Sequence, residues 1–290
     1  MAVFFTTFCV SSPTPTSQRD YTPQHCRRCR AGSAAVSVTD EPLMAPVPSE
    51  LIATLRQSRE VTVLTGSGIS AESGIPTFRD AQTGIWAEFR PEDLATPEAF
   101  ARNPRRVWDW YAWRRQMVSG AQPNPGHGAL ARMARILARF NLVTQNVDGL
   151  HQRAGSTDVI EYHGNIMRDI CSIEHIVVAQ PAPGADVPPR CPACGGMLRP
   201  DVVWFGEAIP AAALEAAQQA AERCDVFLSI GTSSLVYPAA GLMEIALRNG
   251  AILVEINPSQ TPVTKLAEFA LTGSAGEILP QLSAALLDPV

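Results

Sequence analysis

His163 stands beside Gly164 at the end of a short apolar run, and histidine takes and gives a proton near neutrality without help from its surroundings. On its own, a histidine at a strand end is more often structural. A second group, Gln145, Asn146 and Asp148, follows another apolar run. Its amides and carboxylate can hold ribose-like hydroxyls, a water or a ligand amide, and they can equally cap a turn. A third segment, Gly66-Ser67-Gly68-Ile69-Ser70-Ala71, has the G-x-G-x-x-A spacing of a dinucleotide loop. There glycine permits a tight turn and a close backbone approach to pyrophosphate, and the start of the following helix offers free N–H groups. This short pattern alone also fits an ordinary glycine turn. Cys171 and the pair Cys191-Pro192-Ala193-Cys194 add three thiols at metal-type spacing.

The elements that must position these groups alternate. Glu60 to Thr65, Phe140 to Thr144, Val159 to Tyr162, Asp225 to Ile230 and Ala251 to Ile256 are short and apolar, as strands covered on both faces are. Between them Pro48 to Arg59, Gly128 to Arg139, Ala211 to Arg223 and Pro238 to Arg248 carry Ala and Leu at helical spacing. The alternation predicts an α/β fold, a doubly wound parallel-sheet Rossmann-like domain. Residues at about 85–125, rich in Trp, Arg and Pro, and at about 167–200, holding the cysteine cluster, break the alternation. They are expected to form a smaller inserted module, part helical and part zinc-ribbon-like, with a ligand cleft beside the main domain.

At 290 residues and 46% hydrophobic content the chain can bury a full core over about 47–290. A net charge of -5 without clustered Lys and Arg argues against a nucleic-acid partner. No apolar run approaches the roughly 20 residues that a membrane helix needs. Seven cysteines scattered through so long a chain point to a reducing compartment, and the expected location is the cytoplasm. Residues 1–46, rich in Ser, Thr and Pro, are expected to lack a fixed fold. Their shortage of acids resembles an organelle transit peptide, which would move the location to an organelle matrix; a true start at Met44 explains it equally well.

The segment from Gly66 through Glu72, Gly74, Ile75, Thr77, Phe78 and Arg79 is very close to the cofactor loop of the sirtuin family, with Ser67 where Ala is more usual. Further blocks follow in the family's order: Thr144 to His151, Tyr162 to Asn165, Pro200 to Glu207, Gly231-Thr232-Ser233 and Ile256-Asn257-Pro258. The resemblance covers about Leu51 to the C-terminus. It implies an NAD-dependent protein lysine deacylase in which His163 is the general base, acting with Asn146. The acyl-lysine carbonyl oxygen would attack C1′ of the nicotinamide ribose, and nicotinamide would leave. A ribose hydroxyl deprotonated by His163 would then take the acyl group, and water would complete the path to free lysine and O-acyl-ADP-ribose.

The same resemblance assigns Gln145, Asn146 and Asp148 to the nicotinamide and ribose side of NAD, Gly231, Thr232, Ser233, Asn257, Ser259 and Ala275 to the adenosine side, and Trp86 to cofactor binding. It makes the stretch containing Val203, Phe205 and Gly206 the place where a substrate peptide adds itself as a strand, which reads shape more than sequence. The partners would be acylated-lysine proteins, and the enzyme is expected to be a monomer.

Tyr111 and Arg114 lie three apart, so a helix would bring them to one face. A guanidinium can hold a carboxylate through two parallel hydrogen bonds and a tyrosine hydroxyl can add a third. Succinyl- and malonyl-lysine carry such a carboxylate. The sequence resembles the family's desuccinylase subclass here, with small Ala95 where that subclass widens its acyl pocket. The plainer alternative packs Trp108, Tyr111 and Arg115 together and leaves Arg114 solvated.

A family zinc module would hold two CxxC pairs. Here Cys171, Cys191 and Cys194 are present, and the fourth cysteine is replaced within Ser172-Ile173-Glu174-His175. His175, four residues beyond Cys171, would supply the missing ligand; otherwise the site uses water or stays empty. Any zinc would be structural. The rival readings are a protein mono-ADP-ribosyltransferase using the same NAD site, an NAD-sensing module without activity, and a dehydrogenase. The last predicts an acidic residue ending a second strand about 20 residues beyond the glycine loop, and none stands out there.

Overall fold

The computed structural model describes residues 47–76, 93–180, 184 and 186–288. The expected tail at 1–46 and the residues Thr77, Phe78, Arg79 and Trp86 lie outside them. The main sheet has six strands: β1 (Val61–Thr65), β2 (Phe140–Thr144), β3 (Ile160–Glu161), β6 (Val226–Ile230), β7 (Ile252–Asn257) and β8 (Phe269–Thr272). Their order is β3-β2-β1-β6-β7-β8, and every pairing is parallel. Strand order reverses between β1 and β6, so the chain leaves these neighbours in opposite directions and opens a crevice at their carboxyl ends.

Both faces of the sheet are covered, which is why β1 and β6 are buried at every position. Helices α1 (Ser49–Gln57), α4 (Pro125–Ile136) and α8 (Ala275–Leu287) put Leu51, Leu55, Leu130, Met133, Leu279 and Leu282 against one face. Helices α6 (Ala211–Arg223) and α7 (Ala239–Arg248) put Ala217, Ala221, Leu242 and Ala246 against the other.

The expected strands and helices are present, with shifted ends. Helix α4 begins three residues before Gly128 because Asn124 caps it, accepting from the Gly126 and His127 N–H groups, and His127 returns the bond to complete a capping box. Strand β3 is only two residues long, because Asp158 before it has a left-handed backbone (φ 53°). Strand β8 and helix α8 were not expected as elements. The alternating burial of β8 marks an edge strand whose sequence carries a weak apolar signal.

The segments that break the alternation have structure of their own. The first carries α2 (Pro97–Arg102) and α3 (Pro104–Gly120). Around the second, β4 (Gly164–Cys171) and β5 (Leu198–Val202) form a two-stranded antiparallel sheet. A cluster of Ile75, Phe100, Val107, Tyr111, Ile166, Val202 and Trp204 joins these elements to the glycine loop.

Candidate active site

The segments singled out in the sequence meet at the carboxyl edge of the sheet. Behind β1, residues Ser67–Ser73 form a short 3-10 helix in place of the α-helical start expected there, closed by Gly74 in the left-handed region. Its N–H groups are not all available to a ligand, since Gly68 N–H donates to the Gly231 carbonyl at 2.8 Å. The glycines permit this contact: a Cβ on Gly66 would meet Gly231 and Thr232 at 2.8 Å, and one on Gly68 would meet the Gly231 backbone at 2.7 Å. The loop after β1 is thus locked to the loop after β6 across the point where strand order reverses.

The loop behind β2 closes onto the same place. Asn146 donates through Nδ2 to the Gly66 carbonyl and to Ser70 Oγ, both at 3.0 Å. Gln145 Nε2 donates to Thr232 Oγ1 at 3.0 Å. Buried Asp148 accepts from Ser70 Oγ at 2.8 Å and from the Leu150 N–H at 2.9 Å. Burial raises the Asp148 carboxyl above its ordinary value, and these hydrogen bonds together with the nearby Arg114 charge oppose the rise.

His163 lies half-buried between β3 and β4. Its Nδ1 is 3.0 Å from the Gln145 carbonyl oxygen. A carbonyl only accepts, so Nδ1 carries the hydrogen and the lone pair of neutral His163 is on Nε2. Burial lowers the histidine pKa, partly offset by the Gln145 hydrogen bond. The His163 carbonyl accepts from the Val203 N–H at 3.0 Å, tying β3 to the stretch after β5. Gly164 cannot be replaced without rearrangement, since its φ is 82° and a Cβ would meet the Asp201 carbonyl oxygen at 2.2 Å.

Among the residues expected at the adenosine side, Asn257 Nδ2 donates to the Thr232 carbonyl at 2.8 Å, bringing the ends of β6 and β7 together. Ser233 and exposed Ser259 flank them. Ala275 begins α8, and its buried backbone packs against Gly126. The Glu72 carboxylate accepts from Gly276 N–H at 2.7 Å and Ser274 Oγ at 2.9 Å, at the N-terminus of α8. Ala71 is exposed, and Ile75 is buried in the cluster with Tyr111.

Tyr111 and Arg114 share a face of α3. Tyr111 is buried and accepts from Trp204 Nε1 at 2.9 Å. Arg114 lies over the Trp110 ring at 4.9 Å; burial lowers its pKa, and Tyr111 and Asp148 partly compensate. Among the described residues no carboxylate lies within ion-pair distance of Arg114, whereas Arg115 is held by Asp169 at 2.6 Å and by the carbonyls of Ile166 and Arg168. Arg115 also lies over Trp108, so two of the three residues of the plainer alternative pack together, while Tyr111 packs with Trp110 and Trp204. Ala95 packs against this cluster, and its carbonyl accepts the Phe205 N–H at 2.9 Å. Phe205 is exposed, and Gly206 (φ 88°) lets the chain turn beyond it.

Sequence reasoning missed a buried polar layer behind these loops. Thr65 Oγ1 is 2.9 Å from His151 Nε2 and donates to Thr144 Oγ1 at 2.8 Å. The rings of His127 and His151 pack at a tilt, 4.9 Å between centroids, and His127 Nε2 is 3.4 Å from Ser70 Oγ. Both histidines are fully buried, and desolvation lowers their pKa values to about 4 for His127 and about 3 for His151. The available signal was the polar Asn124-Pro125-Gly126-His127 at a helix start, where a satisfied cap and a functional group look alike.

The sulfurs of Cys171, Cys191 and Cys194 lie within 4.8 Å of one another. None is in a disulfide, and Cys171 and Cys191 are buried while Cys194 is exposed. Three convergent thiols on facing turns fit a structural zinc, which would pin the segment before β5 to the end of β4.

The family model described as "Sir2 family" matches residues 66–238. A protein of Aquifex aeolicus named NAD-dependent protein deacylase is 53% identical over 216 residues, 73% of this chain and 89% of its own length. One of Methylococcus capsulatus with the same name is 49% identical over 245 residues, 82% of this chain and 96% of its own. Among solved structures, a Sir2 homologue in complex with NAD superposes with a TM-score of 0.78 at 44% identity, covering 84% of this chain and 95% of that one. This chain therefore belongs to the Sir2 family.

Proposed function

We propose that this chain is an NAD-dependent protein lysine deacylase that removes acidic acyl groups, succinyl and malonyl, as well as acetyl. The NAD-dependent deacylase part is the function shared by relatives about half identical over most of the chain. When bound, NAD supplies the ADP-ribose acceptor. His163 is the general base: its Nδ1–H is held by the Gln145 carbonyl, which leaves Nε2 to take a proton from a ribose hydroxyl. Asn146 and Asp148, fixed through Ser70, line the nicotinamide end, with Gln145 turned toward Thr232. Gly231, Thr232, Ser233, Asn257 and Ser259 take the adenosine end, and the stretch Val203 to Gly206 takes the peptide backbone.

The acyl preference rests on one observation, a half-buried Arg114 beside Tyr111 without a carboxylate partner among the described residues. Leaving a guanidinium so placed costs free energy that a substrate carboxylate would offset.

Mass spectrometry of acetyl-, malonyl- and succinyl-lysine peptides, with and without NAD, tests both parts. The expected result is NAD-dependent loss of all three groups with formation of O-acyl-ADP-ribose, abolished in His163→Tyr. Deacetylation with inert succinyl and malonyl peptides would overturn the acyl preference alone. ADP-ribose appearing on protein instead of on the acyl group would favour a mono-ADP-ribosyltransferase.

A further inference from the structure

Two turns at the cysteine cluster are built alike. In one, Gly195 N–H donates to the Cys191 carbonyl at 2.9 Å, Cys191 N–H donates to the Gly196 carbonyl at 2.7 Å, and Gly195 has a left-handed φ of 73°. In the other, His175 N–H donates to the Cys171 carbonyl at 3.0 Å, Cys171 N–H donates to the Ile176 carbonyl at 2.9 Å, and His175 has a left-handed φ of 53°. Aligned position by position, Cys171 matches Cys191, His175 matches Gly195, and Glu174 matches Cys194. Burial follows the same correspondence: Cys171 and Cys191 are buried, and Glu174 and Cys194 are exposed. The turns face each other closely, since a Cβ on Gly196 would meet Ile173 at 2.8 Å and Cys171 Sγ at 3.3 Å. The N–H groups of Ile173 and Glu174 both donate to Cys171 Sγ at 3.4 Å, the kind of bond that holds a ligating thiolate in place.

We infer that Glu174, not His175, supplies the fourth ligand of a zinc site made of three thiolates and one carboxylate. His175 occupies the place of Gly195, a residue that has no side chain to give, and its role is to reverse the backbone. Glu174 occupies the place from which Cys194 reaches the cluster; its exposed carboxylate lies outside the 4.8 Å group of three sulfurs and turns inward to bind the metal. A carboxylate oxygen is an ordinary zinc ligand, and this donor set carries the same negative charge as four thiolates. One harder oxygen donor on the solvent side makes the metal easier to extract than from four thiolates.

The test uses the full chain and zinc itself. Zinc content and competition against a chromogenic chelator would be measured for the wild type, Glu174→Ala, Glu174→Cys and His175→Ala, with circular dichroism confirming that each is folded. The expected result is one zinc per chain, with affinity lowered in Glu174→Ala by more than about tenfold, the lower end of what even an outer-shell partner contributes. Glu174→Cys holds zinc more tightly, and His175→Ala matches the wild type. With cobalt in the site, the sulfur-to-metal charge-transfer band is stronger in Glu174→Cys, as a fourth thiolate joins three. An unchanged affinity in Glu174→Ala, a loss in His175→Ala, an unchanged cobalt band in Glu174→Cys, or a wild type without zinc would each overturn the assignment. None of these readouts depends on deacylation, so they fail or succeed apart from the proposed activity.

Discussion

Trp204 Nε1 donates to the Tyr111 hydroxyl oxygen at 2.9 Å, joining the stretch after β5 to helix α3. The bond uses the oxygen as acceptor and leaves the phenolic hydrogen to donate elsewhere. Burial raises the Tyr111 pKa, so the hydroxyl stays protonated at neutral pH. A buried donor three residues from a guanidinium that no carboxylate among the described residues pairs with at ion-pair distance is what a carboxylate-ended acyl chain would need.

Replacing Arg114 with Met separates the acyl groups. Hydrogen bonds to a charged group contribute roughly 1.5–3 kcal/mol, so kcat/KM for succinyl-lysine falls by about 10- to 100-fold. Deacetylation changes little. Steady-state kinetics on paired peptides checks this, and an equal loss for both peptides would reduce Arg114 to a packing residue.

Tyr111→Phe removes the acceptor of buried Trp204 Nε1 together with the free donor. An unsatisfied buried donor costs roughly 1–3 kcal/mol, visible as a lower urea midpoint. The same variant raises KM for succinyl-lysine while leaving that for acetyl-lysine near its starting value. If only stability changed, the hydroxyl would be structural.

His163 has a pKa below its ordinary 6.5, because burial outweighs the Gln145 hydrogen bond. As a neutral base it stays active into mildly acid solution. The acid limb of kcat/KM is therefore expected below pH 6.5 and depends on His163. A limb centred above pH 7 that persists in the residual activity of His163→Ala would assign the ionisation elsewhere.

His127 and His151 contribute to the loss of stability in acid. Their folded pKa values, about 4 and about 3, lie below the unfolded value of 6.5. The unfolded chain binds more protons in this interval, so stability is fully present above pH 6.5 and falls as pH drops toward the folded values. The slope is roughly 1.4 kcal/mol per pH unit for each histidine. Urea melts at pH 5 and pH 7 should differ less in His151→Phe than in the wild type. An identical difference in both proteins would contradict the burial argument.

The parallel sheet, the glycine loop and the order of the site segments were legible in the sequence. Each depends on local chemistry: apolar runs suit a sheet covered on both faces, and glycine spacing is dictated by backbone that must pass close by. Strand β8 was not legible, because an edge strand buries alternate residues only weakly. Nor was the engagement of Glu72 with α8, or of Gly68 with Gly231, since partners more than 160 residues apart leave no mark in local pattern.

By itself, the sequence determined which chemical groups the crevice can hold, because loops at the carboxyl ends of parallel strands must converge there. Only the tertiary structure decided how those groups are held. It gives His163 a fixed tautomer through the Gln145 carbonyl, and it pairs Arg115 with Asp169 while Arg114 lies over the Trp110 ring. It also matches Glu174 to Cys194 across two like turns. The reason is physical: residue type sets what a side chain can donate or accept, but burial and partner, which fix its protonation and orientation, come from segments far apart in the chain.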